Sequence, residues 1–272
     1  MIISQDIGYN GRMGNQMFIY AALLALKNNF NVDVGIPRIN CENNKDCAMD
    51  MYHNKWIQSR CVLYDYFNLS IPIISENYPL IYQEKKNGFN EEIFKINSNE
   101  NGAIKGYFQS WKYFEDIKDI VKKEFQIKNK CIKNVQSVLD GVKNKVCIHI
   151  RLGDFLGHQN IFKLNPSYIS NVLNNFSDDE YNYIIFSDNF EYILDWFPQD
   201  NHFHFMKYNE IESLYLMTQC DHFIISPSTF SWWGAYLGEK NNTRIYSPDW
   251  WYNDIRDMSD LHPSHWNICK TS

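Results

Sequence analysis

From Lys145 onward, short apolar runs alternate with stretches of helical periodicity, and this alternation narrows the fold more than any other feature of the chain. Val146-Cys147-Ile148-His149-Ile150 reads as a short buried strand. It is followed by a helical pattern over 166–176, a strand over 183–186 that ends at Ser187-Asp188, and a helix over 189–196. A short strand at 203–205, a helix over 210–219, a strand at 222–225, a helix over 230–237 and a strand at 244–246 complete the series. Neighbouring parallel strands need a crossover, which is usually a helix, so the pattern predicts βαβ units and a parallel sheet.

The first half begins the same way and then loses regularity. A strand near Ile2 and Ile3 leads to a glycine-rich turn, Gly8-Tyr9-Asn10-Gly11-Arg12-Met13-Gly14-Asn15-Gln16, and then to an Ala- and Leu-rich run over 17–27 that is apolar nearly all round. Such a run reads as a buried helix. Val32-Asp33-Val34-Gly35 is a candidate second strand, 106–111 a strand and turn, and 114–125 a helix, whereas 40–105 shows few clean periods. The fold class expected is α/β and GT-B-like, with two Rossmann-like halves facing a cleft, an N-terminal domain at 1–140 and a C-terminal domain at 141–272. No internal repeat or low-complexity tract is present.

Composition excludes several function classes. A chain of 272 residues with 44% hydrophobic and 16% aromatic content buries a sizeable core and is not disordered. Lys plus Arg total 26 against 32 acidic residues, a net charge of −6, which argues against a nucleic-acid partner but leaves room for a local basic pocket. The seven cysteines are irregularly spaced and form no CxxC pair, so no structural metal is expected. They read as reduced thiols, with Cys147 and Cys220 as small core residues. The start lacks a basic, then apolar, leader, and no apolar run approaches the ~20 residues of a membrane span, so a cytoplasmic location is expected.

In open α/β sheets ligands sit at the carboxyl ends of strands. Three ends carry polar residues here: His149-Ile150-Arg151-Leu152-Gly153-Asp154, Ser187-Asp188-Asn189 and Ser226-Pro227-Ser228-Thr229. The last delivers hydroxyls to a helix start, which suits either phosphate or simple helix capping. Arg151 stands one residue past a buried strand, so its guanidinium suits either a diphosphate or a salt bridge to Asp154. His149 reads as a ligand contact or a satisfied core histidine, and Trp232-Trp233 as core or site. The turn Gly11–Gln16 lacks the GxGxxG spacing of a dinucleotide fold and the Gly-Lys-Ser/Thr ending of a P-loop, which argues against a nicotinamide oxidoreductase.

These residues resemble a known family. Gly11-Arg12-Met13-Gly14-Asn15-Gln16-Met17-Phe18 is similar to the GxxGNQxF opening of the α-1,2-fucosyltransferases of glycosyltransferase family 11, and His149–Asp154 resembles its HxRRGD motif. Phe186-Ser187-Asp188-Asn189 resembles FSDD, and Ser226-Pro227-Ser228-Thr229-Phe230-Ser231-Trp232-Trp233-Gly234-Ala235 is close to the specific SNSTFSWWGA block. The four matches keep the family order. Leu152 departs from the second arginine, Asn189 from the second acid and Pro227 from the asparagine, while Ser213, with Glu212 beside it, stands where an acid that reads guanine is expected.

The resemblance implies inverting transfer of L-fucose from GDP-fucose to the 2-hydroxyl of a galactose-containing glycan, as in polysaccharide biosynthesis, with no metal and no cofactor. It implies that Arg151 stabilises the departing GDP and that Ser228, Thr229 and Ser231 cradle phosphate. It places His149, Ser187, Asp188 and Glu212 by the nucleotide. Arg12, Gly14, Asn15 and Gln16 count with the donor-binding residues and approach the reacting sugar from the N-terminal half. Asp154 is the candidate base, ahead of Asp6 and Asp188. The alternatives are a fucosyltransferase of other linkage, such as α-1,6, and a catalytically inactive nucleotide-sugar-binding protein.

Overall fold

The computed structural model describes residues 1–9, 11–38, 47–50, 55–58, 61–85, 88–97, 100–153, 164–176, 180–251 and 259–271. The chain forms two compact units, Met1–Lys128 with Ser259–Pro263, and Asn129–Met258 with Ser264–Ser272. Ile132, Val135 and Leu139, on a run of tight turns, are buried and belong to the second unit.

The first unit runs β1 (Ile2–Ser4), α1 (Met13–Phe30), β2 (Val34–Pro37), β3 (Cys47–Asp50), β4 (Lys55–Gln58), α2 (Leu63–Tyr66), β5 (Ile73–Ile74), β6 (Leu80–Gln83), β7 (Gly102–Lys105) and α3 (Lys118–Glu124). Its five-stranded sheet has the order β5-β2-β1-β7-β6 and is parallel throughout, while β3 and β4 form a separate antiparallel pair.

Helix α1 is buried on nearly every side, as its uniformly apolar sequence requires. It starts at Met13, four residues ahead of the expectation. The Arg12 carbonyl accepts from the Asn15 and Gln16 amides at 3.0 and 3.1 Å, so Gly14, Asn15 and Gln16 belong to the first helical turn rather than to the loop. The helix ends on Asn31, left-handed at φ 52°, whose N–H donates to the Leu26 carbonyl. The strand expected over 106–111 lies instead at β7, because Gly106, at φ 150°, ends the extended run and opens a turn.

The second unit runs β8 (Lys145–Ile150), α4 (Pro166–Leu173), β9 (Asn182–Ser187), α5 (Phe190–Ile193), β10 (Phe203–Phe205), α6 (Glu210–Thr218), β11 (His222–Ile224), α7 (Thr229–Gly238), β12 (Ile245–Pro248) and β13 (Asn267–Cys269). The sheet is parallel with the order β10-β9-β8-β11-β12-β13. The chain builds outward from β8 through β9 to β10, then returns to lay β11, β12 and β13 on the other side. The topological switch point therefore lies between β8 and β11.

Alternation along β8 sends Val146, Ile148 and Ile150 into the core with Leu152, Tyr168, Ile185, Ile193 and Ile224, and turns His149 to the opposite face. Leu152, where the family carries an arginine, is thus a core residue. On α7 both Trp232 and Trp233 are fully buried, Trp232 stacking on Tyr236 at 4.7 Å and packing against Trp266 at 5.3 Å. The tryptophan pair anchors α7 to the second unit, which settles the choice between core and site in favour of core. Cys147 and Cys220 are buried and unbridged. Among the described residues no helix is long and apolar enough to cross a membrane.

Candidate active site

The ends of β8 and β11 bring one group of polar side chains together at the switch point. Ser226, two residues past β11, is fully buried, and its Oγ accepts from the Arg151 amide at 3.2 Å. The same oxygen lies 2.9 Å from Ser231 Oγ, in the first turn of α7, and 3.3 Å from His149 Nδ1. His149 Nδ1 also contacts Ser231 Oγ. Burial lowers the His149 pKa to about 4; Arg151 adds to the lowering and Asp188 opposes it. The imidazole is therefore neutral near pH 7, and its place is in a hydroxyl network rather than as a cation. Ser226 was not among the expected site residues. Its signal, a serine opening the tryptophan block, was present but not separable from its neighbours.

Arg151 pairs with Asp188, Nη1 to Oδ2, at 2.6 Å, and Asp188 Oδ1 accepts from the Leu152 amide at 2.9 Å. Asp188, at the end of β9, is thus the partner found for the guanidinium, where the sequence had suggested Asp154. Asp154 lies outside the described residues. Asp188 thus holds the guanidinium with one oxygen and the following backbone with the other, and the Arg151 side chain is 17% exposed. Ser187 Oγ accepts from the Asn189 amide at 3.1 Å, and Asn189 Oδ1 caps α5 by accepting from the Tyr192 amide at 3.3 Å. Asn189 therefore serves its own helix where the family has an acid.

Helix α7 begins at Ser228 with no side-chain cap and no acidic residue in its first turn. Ser228 takes the N-cap position, extended at φ −143° with its carbonyl accepting from the Trp232 amide at 2.9 Å, but its side chain makes no capping hydrogen bond. Thr229 is the first helical residue. A helix start without its own acid or side-chain cap favours an anion through the direction of its amides and its dipole. With Arg151 at the adjacent strand end, the combination suits a diphosphate.

Glu212 is placed differently. It closes a capping box at the start of α6, accepting from the Asn209 amide at 3.4 Å while Asn209 Oδ1 accepts from the Glu212 amide at 3.0 Å. Ser213 donates to the Tyr208 carbonyl at 3.3 Å. Neither shares a hydrogen bond with the switch-point group among the described residues.

The first unit carries its own polar cluster. Arg12 is exposed at the start of α1, and Gly14 is buried. Gln16 is buried and its Oε1 accepts from the Val62 amide at 2.9 Å, while Asn15 Oδ1 accepts from Gln109 Nε2 at 3.0 Å. Gly11, at φ 77°, is required by that approach, because a Cβ there would lie 2.3 Å from Asn15 Nδ2. Asp6 accepts from the Gly106 amide at 2.8 Å. Gln109 had no sequence signal, since it follows a turn that only the fold reveals. Among the described residues no group of three or more His, Cys, Asp or Glu side chains is placed to hold a metal ion.

Comparison with known proteins extends these observations. The family model of glycosyl transferase family 11 matches residues 2–269. The chain is 24% identical to the O-antigen biosynthesis glycosyltransferase WbnK of Escherichia coli, over 89% of this chain and 93% of that protein. It is 24% identical to an alpha-1,2-colitosyltransferase of Escherichia coli (94% and 95% covered) and 23% identical to galactoside alpha-(1,2)-fucosyltransferase 2 of Sus scrofa (84% and 67% covered). Among solved structures it resembles fucosyltransferase NodZ from Bradyrhizobium, with a TM-score of 0.53 at 11% identity over 86% of this chain and 91% of that one. That likeness shows the fold, which is α/β of the GT-B type. A match that runs through nearly the whole chain, joined to the switch-point group, places this chain in glycosyl transferase family 11 as a glycosyltransferase.

Proposed function

We propose that the chain transfers L-fucose from GDP-fucose to the 2-hydroxyl of a galactoside, with inversion and without a metal or other cofactor. The observation that carries this reading is that Arg151 and the start of α7, which lacks a side-chain cap, follow the adjacent strands β8 and β11 and are joined through the Arg151 amide and Ser226 Oγ. The second unit takes the donor and the first unit the acceptor.

In a single displacement, the acceptor oxygen bonds to the anomeric carbon as the bond from that carbon to the β-phosphate oxygen breaks. Negative charge grows on the diphosphate. Arg151, held by Asp188, and the α7 amides with the Ser228 and Thr229 hydroxyls meet that charge, whereas the fully buried Ser231 hydroxyl is committed to His149 and Ser226; fixed donors of this kind act without reorganising during the reaction. Neutral His149 ties Ser226 and Ser231 together and so fixes the loop between β11 and α7. The acceptor proton passes to a base, for which Asp154 is proposed.

The 2-linkage draws support from the relative named as an alpha-(1,2)-fucosyltransferase. A second reading, with a colitosyl donor in place of the fucosyl one, draws support from the relative named as a colitosyltransferase. Incubation of the purified chain with GDP-fucose, a panel of galactosides and EDTA, followed by linkage analysis, tests the proposal. The expected product carries fucose on galactose O2. A 6-linked product, transfer only from a colitosyl donor, or GDP binding without transfer would each replace it, and a strict need for added manganese would overturn metal independence.

A further inference from the structure

The turn after β7 is built against its own backbone preferences. Gly106 sits at φ 150° and the fully buried Phe108 at φ 51°. A bulky residue in the left-handed region is an outlier, and such outliers persist only where the surroundings over-determine them. Here two carboxylates do so. Asp6, two residues past β1, accepts from the Gly106 amide at 2.8 Å, and Glu84, one residue past β6, accepts through Oε2 from the Tyr107 and Phe108 amides at 2.8 and 3.1 Å. Three successive amides are thus held from two different strand ends. Gly106 is part of the same device, since a Cβ there would lie 2.5 Å from Glu84 Cβ. The Phe108 ring is held between Tyr82 at 6.3 Å and Tyr113 at 5.8 Å.

The far side of the turn reaches the Gly11–Gln16 motif. The Ser110 amide donates to the Phe108 carbonyl at 2.8 Å, closing a three-residue turn with Gln109 at its centre. Gln109 is buried, and its Nε2 donates to Asn15 Oδ1 at 3.0 Å. Glu84 pays a cost for its place, because burial and the nearby Asp6 both disfavour its charge, while the two amides favour it. Its other oxygen, Oε1, is buried without a hydrogen-bond partner among the described residues. A half-buried acid with one oxygen buried and unpaired is unusual for the fold alone, since an apolar residue would avoid the desolvation.

We infer that Glu84 is a positioning residue: it sets the Gly106–Gln109 turn, and through Gln109 it holds the Asn15 side chain in the orientation that faces the reacting sugar as the acceptor attacks it. The inference rests on the acceptor role proposed above for the first unit. It names a residue that none of the sequence motifs contains.

The test uses the full chain as wild type, Glu84→Ala and Glu84→Gln, with two readouts. The first is amide hydrogen exchange over residues 105–110 and 12–18, which needs no substrate. The second is the acceptor KM, compared with GDP affinity measured by calorimetry. In Glu84→Ala, exchange is expected to speed up in both segments and the acceptor KM to rise on the order of tenfold or more, with GDP affinity within about twofold of wild type. Glu84→Gln keeps one oxygen for the amides and is expected to recover most of the exchange protection and KM; if Glu84→Ala does not fold, a KM rise of a few-fold in Glu84→Gln with unchanged GDP affinity carries the same meaning. Unchanged exchange at 12–18, an unchanged acceptor KM, or GDP affinity that falls in step with the acceptor KM would overturn the inference. A wild type that transfers no fucose would instead count against the proposed reaction, while the exchange comparison would still decide the role of Glu84.

Discussion

Arg151 is held from two sides, its guanidinium by Asp188 and its amide by Ser226. The two supports predict different failures. In Asp188→Asn the guanidinium loses its charge partner but keeps a neutral acceptor, so it is expected to swing more freely and GDP affinity to fall on the order of tenfold, as read by calorimetry. Ser226→Ala removes a fully buried oxygen with three polar neighbours, leaving the Arg151 amide, His149 and Ser231 to find other partners. Its expected cost is about 1–3 kcal/mol of stability, measured by urea denaturation, beyond any loss of turnover. The sequence shows Arg151 because the residue sits alone among apolar neighbours at a strand end. It does not show Asp188 as a partner, since Asp154 is nearer along the chain and only the β8–β9 register brings the end of β9 beside Arg151.

At the scale of elements, α7 depends on small residues for its seat. Gly234 faces the buried Met217 of α6, and a Cβ there would meet the end of that side chain, Met217 Cε, at 2.2 Å. Gly238 is tighter in a different way, because a Cβ would meet the Phe223 ring at 2.5 Å and the Thr218 backbone at 3.0 Å. Methionine can move aside, whereas a buried ring and a main chain cannot. Gly238→Ala is therefore expected to lower stability by about 1–3 kcal/mol and Gly234→Ala by clearly less, both by thermal denaturation.

The alternating elements of the second unit were legible because each strand is a short apolar run and each helix keeps its period. The exceptions have physical reasons. Strand β13 is short with Ile268 half exposed, and β6 carries exposed Leu80 and Ile81 at the sheet edge, so neither shows a buried pattern. Helix α1 reaches back into its glycine motif because the burial of Met13 and Gln16 outweighs the low helix propensity of Gly14.

Across the whole molecule, two buried histidines link stability to pH. Burial lowers His149 to about 4 and His262 to about 3, against an ordinary value of 6.5. As pH falls below that value the unfolded chain takes up these protons first. Stability from the neutral rings is thus full above about pH 6.5 and is lost as pH falls toward 4 and 3. Up to two protons correspond to a slope of at most about 2.7 kcal/mol per pH unit in that window. Denaturant titrations at pH 7.5 and 5 are expected to show the fall, and His262→Phe is expected to reduce it. A stability that rises on acidification would contradict the burial of these rings.

The central claim is that Arg151 and the α7 start hold the donor diphosphate and meet its growing charge. The most direct measurement is transfer from GDP-fucose by wild type and Arg151→Ala, in EDTA, with melting temperatures recorded alongside. The account predicts a loss in kcat/KM of about 10³-fold or more with a melting temperature close to wild type. Near-normal turnover by Arg151→Ala would contradict it.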